Sequence, residues 1–300
     1  MIICPRPGGA DARKLVGSNK MSFVINRHSS LAIISFTIHK LKILMKKTLF
    51  LLYGVVSYFA FFGTILYAIG FTGNLLVPKS IDGIPAAPLW QAILTNTAFL
   101  LLFAVQHSTM ARPAFKRWWT QYVPKPIERS TFVLITSIIL STMFAFWQPM
   151  GGIVWQIENE TAKVILQALF LLGWAMVFLA TFLINHFDLF GLRQVWLYFR
   201  GREYTHLPFR VPFLYKYVRH PLYLGFLIAF WSTPVMTVTH LLFALATTGY
   251  ILTAIQLEER DLIAHFGQRY RDYRKQVPMI LPIGTKKPSE SIEYNVSEQN

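Results

Sequence analysis

Long apolar runs alternate with short polar segments rich in glycine and proline along most of this chain of 300 residues. The apolar runs cover residues 48–71, 89–110, 131–147, 162–184, 222–231 and 241–257. A helix needs about 20 such residues to cross a bilayer, and only helices and closed barrels satisfy their backbone groups there. Because no strand-like alternation recurs, we expect an all-α, polytopic integral membrane bundle of five to six spans. The last two runs are short and predict a tight C-terminal helical hairpin that turns near Pro234.

The composition agrees with a membrane protein. Hydrophobic residues make up 54% of the chain and charged residues only 14%, whereas soluble domains carry about 25% charged residues. The net charge of +15 is concentrated in segments beside the apolar runs, where basic residues act as topology signals. We therefore expect the lipid bilayer as a partner and no nucleic acid. Nothing in the pattern indicates an oligomeric state.

The loops between the apolar runs differ in charge. Basic residues are concentrated in the segments 46–47, 112–129, 186–219 and 258–275. The alternate segments 74–88, 149–161 and 232–240 carry few basic residues. Because basic loops stay on the cytoplasmic side of a membrane, this alternation predicts a multi-pass protein of a bacterial-type inner membrane. Both termini and the basic loops are expected on the cytoplasmic face.

The first 44 residues differ from the rest. The stretch 31–44 is apolar but is interrupted by one histidine and two lysines, so it is too short and too charged to span a bilayer securely. Met45–Lys47 then precedes a strong apolar run and resembles a second translation start. We expect residues 1–44 to be a non-native or disordered extension, with an interfacial amphipathic helix as the alternative. The membrane domain is then residues 45–283, and residues 284–300 form a disordered tail.

Polar residues flank the C-terminal hairpin at both ends. Arg219 and His220 stand just before Pro221, and proline is favoured at the first position of a helix. Glu258 and Glu259 follow the second apolar run. The two ends of a hairpin meet on one membrane face, so a cation, an imidazole and two carboxylates are brought together there. Uncompensated charges are costly near hydrocarbon, and this mixture of signs suits a zwitterionic cofactor.

The start of this predicted helix offers further contacts to such a cofactor. Helix N-termini favour anions through free N–H groups and the macrodipole, so a ligand carboxylate has a seat there. Tyr223 can stack or donate a hydrogen bond, and Gly225 lets a ring or a backbone approach closely. Glu258 or Glu259 can accept hydrogen bonds from ribose hydroxyls or an ammonium group. The single cysteine, Cys4, excludes an internal disulfide and a cysteine-based metal site, and we expect no metal.

Three motifs carry a resemblance to a known family. The C-terminal motif is Arg219-His220-Pro221-x-Tyr223-x-Gly225, followed by Glu258-Glu259-x-x-Leu262 and Phe266-Gly267-x-x-Tyr270-x-x-Tyr273. It resembles the isoprenylcysteine carboxyl methyltransferase and phospholipid methyltransferase superfamily, whose members bind S-adenosylmethionine in a membrane without a Rossmann domain. Two upstream motifs are similar to the narrower NnrU-like branch, namely Gln106-His107-Ser108-x-Met110-Ala111-Arg112 and Asn185-His186-Phe187-Asp188-Leu189-Phe190-Gly191-Leu192-Arg193-Gln194. The resemblance extends over roughly residues 45–283.

Within that branch, the chain most resembles enzymes that methylate a small thiol. The resemblance implies methyl transfer from S-adenosylmethionine to methanethiol, with dimethyl sulfide and S-adenosylhomocysteine as products. It also implies a non-Rossmann cofactor site in the C-terminal hairpin, with cofactor contacts by Arg219, His220, Tyr223, Gly225, Glu258 and Glu259.

The implied reaction needs a base, because a thiol with a pKa of about 8.5 or above is mostly protonated at neutral pH. His186 and His107 are the candidates, since imidazole titrates near neutrality without help. Asp188 or Arg193 would orient the histidine or the cofactor. Arg193 and Gln194 are expected to contact the acceptor.

Two other interpretations stay open from the sequence. The same cofactor site would serve a membrane methyltransferase for another thiol, a prenylcysteine or a lipid, and a wide lateral opening would favour that interpretation. Alternatively, the chain is a non-enzymatic, haem-binding NnrU-like protein, since His107, His186 and His220 are all expected near one face.

Overall fold

The computed structural model describes residues 16–283, with side chains from residue 31 onward. In chain order its elements are α1 (Val16–Gly73), α2 (Leu89–Ala111), α3 (Pro113–Trp119), α4 (Lys125–Phe146), β1 (Ile153–Gln156), α5 (Glu160–Ile184), α6 (His186–Leu189), α7 (Leu192–Phe199), a 3-10 turn (Phe213–Lys216), α8 (Pro221–Trp231), β2 (Val235–Thr237), α9 (Val238–Phe266) and α10 (Gln268–Gln276). The predicted tail at residues 284–300 lies outside the described residues, as do residues 1–15.

The chain divides into two units, residues 1–49 and residues 50–300. The described part of the first unit is helical, and its side chains from residue 31 onward are nearly all exposed. The sequence predicts a disordered segment or an interfacial helix for residues 1–44, so α1 begins earlier than the apolar pattern indicates. The assignment of residues 1–44 as an extension of the domain stays a prediction.

Five helices among the described residues are long and apolar enough to cross a membrane. They are the part Leu31–Gly73 of α1, and α2, α4, α5 and α9. α8 is also apolar but has only 11 residues. These helices confirm the predicted all-α, polytopic membrane bundle of five to six spans. α8 and α9 form its C-terminal hairpin.

α9 continues beyond the apolar run that ends at residue 257, and it includes both Glu258 and Glu259. Successive residues of a helix are rotated by about 100° from each other, so the two carboxylates serve different sides of α9. The helix ends at Gly267, whose φ of 60° is a conformation that other residues rarely adopt. α10 begins at the next residue in a new direction.

α5 and α8 pack with their backbones close together. A Cβ atom built on Gly225 would lie 2.7 Å from the carbonyl oxygen of Gly173, and one built on Gly173 would lie 2.6 Å from the amide nitrogen of Ala229. Small residues permit such close approach between membrane helices. Trp174 packs beside this contact, with its ring centroid 5.6 Å from that of Phe226. The contact fixes the position of α8, whose first turn carries the C-terminal motif.

Two short strands, which the apolar pattern does not predict, lie in turns between helices. β1 and β2 pair antiparallel, with Ile153 opposite Thr237 and Gln156 opposite Val235. β2 follows the turn that the sequence predicts near Pro234. The strands have four and three residues, which is too short for an alternating pattern to be detected.

Polar contacts gather the loops into two groups, one at each end of the bundle. At one end, Nε of Arg129 donates to the carbonyl oxygen of Leu189 at 2.8 Å. At the other end, Nε1 of Trp147 donates to the carbonyl oxygen of Ile81 at 3.2 Å. This grouping matches the predicted alternation of basic and sparsely charged loops. We call the end that carries the loops 112–129 and 186–219 the basic face.

Candidate active site

The charged residues that flank the C-terminal hairpin are in direct contact at the basic face. Nε of Arg219 donates to Oε1 of Glu259 at 2.7 Å, and Nε2 of His220 lies 3.1 Å from the same oxygen. Nε of Arg274, on α10, lies 3.2 Å from Oε2 of Glu259. The Glu259 side chain is only 3% exposed, so these partners replace water around a buried carboxylate. We call these four residues the Glu259 cluster.

Backbone contacts hold the start of α8 against the segment that follows α10. The amide of Arg219 donates to the carbonyl oxygen of Pro278 at 2.9 Å, and its Nη1 donates to that of Val277. α8 begins at Pro221 because proline suits the first helical position, where no N–H is needed. Arg219 therefore makes its strongest contacts with the protein itself, and it organises this end of the hairpin.

Glu258 makes contacts separate from those of Glu259. Oη of Tyr223 donates to Oε2 of Glu258 at 2.9 Å. The first hydrogen bond at the start of α8 runs from the amide of Leu224 to the carbonyl oxygen of His220. The amides of Leu222 and Tyr223 therefore have no hydrogen-bond partner in the part of the chain that the structure describes. These free N–H groups form a seat for an anion beside a carboxylate and a phenol.

The buried hydroxyl of Tyr270, on α10, makes no hydrogen bond of normal geometry among residues 31–283, although it lies close to the carboxylate of Glu259. Its ring centroid lies 5.8 Å from that of Tyr273. Burial, and then the negative charge of Glu259, raise the pKa of the Tyr270 phenol. The hydroxyl stays protonated at neutral pH, and it is available to a ligand as a donor or an acceptor.

Gly225 faces α5. A Cβ atom there would lie 2.7 Å from the carbonyl oxygen of Gly173 and 2.9 Å from the amide nitrogen of Val177. The sequence allows either a ring or a backbone to approach this glycine, and the structure brings a backbone. Contact of Gly225 with a cofactor stays a prediction.

His186 begins α6, and both of its ring nitrogens are engaged. Nδ1 lies 2.8 Å from Oγ1 of Thr181, and Nε2 lies 2.9 Å from Oη of Tyr58. The ring stacks on Phe182 with 4.1 Å between centroids. Burial lowers the pKa of His186, so the imidazole is neutral at neutral pH. A neutral imidazole donates through one nitrogen and accepts through the other, and both positions are occupied here.

Asp188, Arg193 and Gln194 form a polar corner between α6 and α7. Nη1 of Arg193 donates to Oδ1 of Asp188 at 2.9 Å, and Oη of Tyr204 donates to Oδ2 of Asp188 at 3.2 Å. Arg193 also donates to the carbonyl and hydroxyl oxygens of Thr205. Nε2 of Gln194 donates to the carbonyl oxygen of Asp188, while its Oε1 is buried with no partner in the described chain. Among the described contacts, Asp188 makes no hydrogen bond to either candidate histidine.

His107 lies near the end of α2 between two aromatic rings. Its ring centroid is 5.3 Å from that of Phe103 and 4.9 Å from that of Phe132. Nδ1 of His107 is buried and has no hydrogen-bond partner among the described residues. Arg112 and Arg129 lie within electrostatic range of the ring. The two candidate histidines therefore differ, because only His107 has an unoccupied nitrogen.

Arg129, at the start of α4, connects several of these groups. Its Nε donates to the carbonyl oxygen of Leu189, next to Asp188 in the chain. Its guanidinium is within electrostatic range of Asp188, of Glu258 and of His107. The ends of α2, α4 and α9 and the corner between α6 and α7 therefore border one region of the basic face.

Arg274 and Arg129 take part in these contacts although the sequence does not single them out. Both lie in basic segments, where an arginine indicates only the cytoplasmic side of a membrane. Arg274 reaches Glu259 only because the chain bends at Gly267, and no helical spacing relates the two residues. The motif around Tyr273 marks the right helix but not this arginine.

Comparison with known proteins gives relatives that match most of the chain. A protein of Crocosphaera subtropica named methanethiol S-methyltransferase is 54% identical over 243 residues, which are 81% of this chain and 95% of the relative. A protein of Mycobacterium tuberculosis with the same name is 53% identical over 238 residues, which are 79% of this chain and 98% of the relative. In Bradyrhizobium diazoefficiens, a protein named methanethiol S-methyltransferase 2 is 56% identical over 232 residues, or 77% and 89% of the two chains.

No family model matches the chain, and no solved structure does. The matched regions in the three relatives cover most of this chain and nearly all of their own length. Identity above one half over so long a match shows common descent. The chain belongs to the methanethiol S-methyltransferase family.

Proposed function

We propose that the protein transfers a methyl group from S-adenosylmethionine to methanethiol and gives dimethyl sulfide and S-adenosylhomocysteine. The observation that carries the proposal is the Glu259 cluster, which joins the two ends of the C-terminal hairpin beside an anion seat. The acceptor is taken from the relatives, each of which is named a methanethiol S-methyltransferase.

The groups at the start of α8 fit a zwitterionic sulfonium donor. The free amides of Leu222 and Tyr223 would receive its carboxylate, and Glu258 would accept from its ammonium or ribose hydroxyls. The unpaired hydroxyl of Tyr270 offers one more hydrogen bond. When bound, S-adenosylmethionine supplies a methyl group on a positively charged sulfur.

The Glu259 cluster supports this seat by fixing the position of the start of α8. Glu259 ties Arg219 and His220, just before α8, to Arg274 on α10. The guanidinium groups of Arg219 and Arg274 offset the buried negative charge, so the start of α8 is held in one place without an uncompensated ion. We therefore assign Arg219, His220 and Glu259 to the cofactor site together with Tyr223 and Glu258.

We assign the acceptor side to the region that Arg129 borders. His107 and His186 are the predicted bases there, and Asp188 is held by Arg193. The buried, unpaired Oε1 of Gln194 is the group of this corner that is available to a ligand. Fixed side chains of this kind place the reactants close together, which contributes much of the acceleration in two-substrate reactions.

We propose that the basic face is cytoplasmic. The segments 112–129, 186–219 and 258–275 at this face are rich in lysine and arginine, and such loops are retained on the inner side. Both the cofactor seat and the acceptor region would then meet solutes of the cytoplasm.

The other interpretations have less support. The names of the relatives favour methanethiol over a prenylcysteine or a lipid acceptor. Haem ligation by two histidines needs two free nitrogens. Both nitrogens of His186 and Nε2 of His220 are hydrogen-bonded to the protein. This leaves His107 without an obvious second ligand.

The proposal is tested with membranes from cells that express the chain and from cells that carry an empty vector. Both are incubated with methyl-labelled S-adenosylmethionine and methanethiol, and labelled dimethyl sulfide is measured in the headspace. Label should appear only with the expressed chain. Parallel incubations contain a prenylcysteine analogue or phosphatidylethanolamine. Label in one of these products, and none in dimethyl sulfide, would overturn the assignment.

A further inference from the structure

The unoccupied nitrogen of His107 is unusual for a buried group. Buried polar atoms are nearly always hydrogen-bonded, because an unsatisfied one destabilises the fold. Nδ1 of His107 has no partner in the described part of the chain, whereas both nitrogens of His186 have one. A ligand that donates one hydrogen would satisfy this atom.

The surroundings of His107 suit a ligand that is small and mostly apolar. Phe103 and Phe132 flank the imidazole with centroid distances of 5.3 Å and 4.9 Å. Tyr250, on α9, lies edge-on to Phe103 at 5.6 Å, and its hydroxyl accepts from Oγ of Ser108 at 3.4 Å. Two aromatic rings therefore flank the imidazole, and a third packs against one of them.

Charges near His107 suit an acceptor that becomes an anion. The guanidinium groups of Arg112 and Arg129 lie within electrostatic range of the ring. Arg112 is also in range of Tyr223 and Tyr250, and Glu258 is in range of both tyrosines. Among the described residues, the charged groups that act on the His107 ring itself are Arg112 and Arg129. Nη1 of Arg112 also lies 2.9 Å from Oδ2 of Asp261, and Lys116 is within electrostatic range of both arginines. Arg112 is in range of both His107 and Tyr223, so this arginine connects His107 with the cofactor seat.

We propose that the acceptor thiol binds at His107, with its S–H hydrogen directed at Nδ1 and its alkyl group against Phe103 and Phe132. This inference rests on the proposed function and names the residues that recognise the acceptor. The chemistry of a small thiol matches the site, because such a molecule carries one weak donor on a short apolar group. His186 is then a positioning residue, which anchors α6 through Thr181 and Tyr58.

The proton transfer at this site is balanced. The S–H bond breaks, its electron pair stays on sulfur, and the proton moves to Nδ1 of His107. A neutral thiol and a neutral imidazole become a thiolate and an imidazolium. Arg112 and Arg129 favour the thiolate, which is the form of the thiol that acts as a nucleophile. The same two cations oppose a positive charge on the imidazole, so the proton stays on His107 only while the thiolate lies beside it.

Binding is tested without turnover. The whole protein is labelled with ¹⁵N in its histidine rings and placed in nanodiscs, and ethanethiol is added in the absence of cofactor. The His107 resonances are identified by their loss in His107→Gln. Ethanethiol should shift these resonances and leave those of His186 in place. A shift at His186 alone, or none at saturation, would overturn the site even if the wild type produces dimethyl sulfide.

The pH profile separates a base from a structural residue. With a base, kcat/KM for methanethiol levels off as pH rises. His107→Gln should lower kcat/KM by about 100-fold or more, and its rate should keep rising with pH because the variant depends on thiolate already in solution. His186→Gln should lower kcat/KM less than His107→Gln does, because glutamine can still bond to Thr181 and Tyr58, and it should keep the levelling profile of the wild type. A levelling profile in His107→Gln would contradict the proposal.

Acceptor size gives an independent test if His107→Gln does not fold. Phe103→Ala removes a ring beside the site, so it should raise the kcat/KM of propanethiol relative to methanethiol by about tenfold or more. Phe99→Ala is the matched control, because it removes the same ring one turn earlier on α2. The ring centroid of Phe99 lies 6.3 Å from that of Phe146. Equal ratios in the two variants would place the acceptor elsewhere. A wild type with no activity on any thiol would instead overturn the proposed function.

Discussion

Nε of Arg219 lies 2.7 Å from Oε1 of Glu259, although 40 residues separate the two along the chain. The two side chains are 8% and 3% exposed, so the pair is buried. Removal of one partner leaves an uncompensated buried charge, which costs about 3–5 kcal/mol. The pair therefore affects the fold of the C-terminal hairpin as well as the ligand that the hairpin holds.

We expect Glu259→Gln to weaken the binding of S-adenosylmethionine by about tenfold or more, or about 1.4 kcal/mol. The amide keeps the shape of the side chain but loses the charge that attracts Arg219 and Arg274, so the start of α8 is less well held. Calorimetric titration of the purified protein in detergent measures the affinity, and thermal unfolding measures the loss of stability.

Asp272→Asn is the control for this variant. It removes one acidic charge from α10, where Asp272 pairs with Lys275 at the surface. We expect this variant to bind S-adenosylmethionine like the wild type. An unchanged affinity in Glu259→Gln would contradict a cofactor seat that depends on the Glu259 cluster.

Gly225→Val tests the close contact between α5 and α8. The new side chain would meet the backbone of Gly173 and Val177 at less than 3 Å, so the helices must separate, at a cost of about 1–3 kcal/mol or more. Gly249→Val on α9 is the matched change, because a Cβ atom there has no neighbour within 4 Å. Thermal unfolding should show a clear loss of stability for Gly225→Val alone. Equal losses in the two variants would mean that the contact is not tight in the protein.

The apolar runs and the signs of the flanking charges were enough to predict the C-terminal hairpin and the meeting of Arg219 with Glu259. They did not locate the break at Gly267 between α9 and α10, because polar helical residues lie on both sides of it. Nor did they predict Arg274 as a third partner, since the bend at Gly267 has no counterpart in a periodic pattern.

The sequence alone also does not distinguish the two candidate histidines. His186 is occupied by Thr181, five residues before it, and by Tyr58, 128 residues away. Only the packing of α1 against α6 brings that tyrosine to the ring. His107 has polar neighbours in sequence, yet its Nδ1 lies among aromatic rings and has no partner in the described chain. The residue type is the same and each histidine lies in a motif of its own, so only the tertiary contacts separate the two.

Asp82 lies at the end of the bundle opposite the basic face, and its substitution should affect stability alone. Burial would raise the pKa of its carboxyl, but interactions with His240, Thr237 and Asn74 outweigh burial and lower it. Thr237 donates to Oδ1, Asn74 donates to Oδ2 at 2.8 Å, and Nδ1 of His240 lies 3.7 Å from Oδ2. We expect Asp82→Asn to lower the melting temperature and to leave the affinity for S-adenosylmethionine unchanged.

The effect of Asp82 should depend on pH in a defined direction. Because the pKa is lower in the folded protein than in the unfolded chain, the carboxylate stabilises the fold above about pH 3.9, the unfolded value. This contribution is lost as pH falls through the folded pKa. The melting temperatures of the wild type and Asp82→Asn should therefore converge in acid. A difference that stays constant down to the lowest accessible pH would exclude an ionic role.

His186, at the basic face, should give the stability of the protein a second dependence on pH. Burial lowers the pKa of the imidazole below its ordinary value of about 6.5. Below about pH 6.5 the unfolded chain binds a proton that the folded protein does not, so stability is complete above this pH and falls as the pH approaches the folded pKa.

His186→Gln can still bond to Thr181 and Tyr58 but does not titrate. Its melting temperature should therefore fall less than that of the wild type between about pH 7.5 and about pH 5.5, where one proton contributes up to about 1.4 kcal/mol per pH unit. If the melting temperatures of the two proteins fell equally with pH, His186 would take up protons as readily in the fold as in the unfolded chain. The buried ring with hydrogen bonds to Thr181 and Tyr58 would then not be the main conformation in solution.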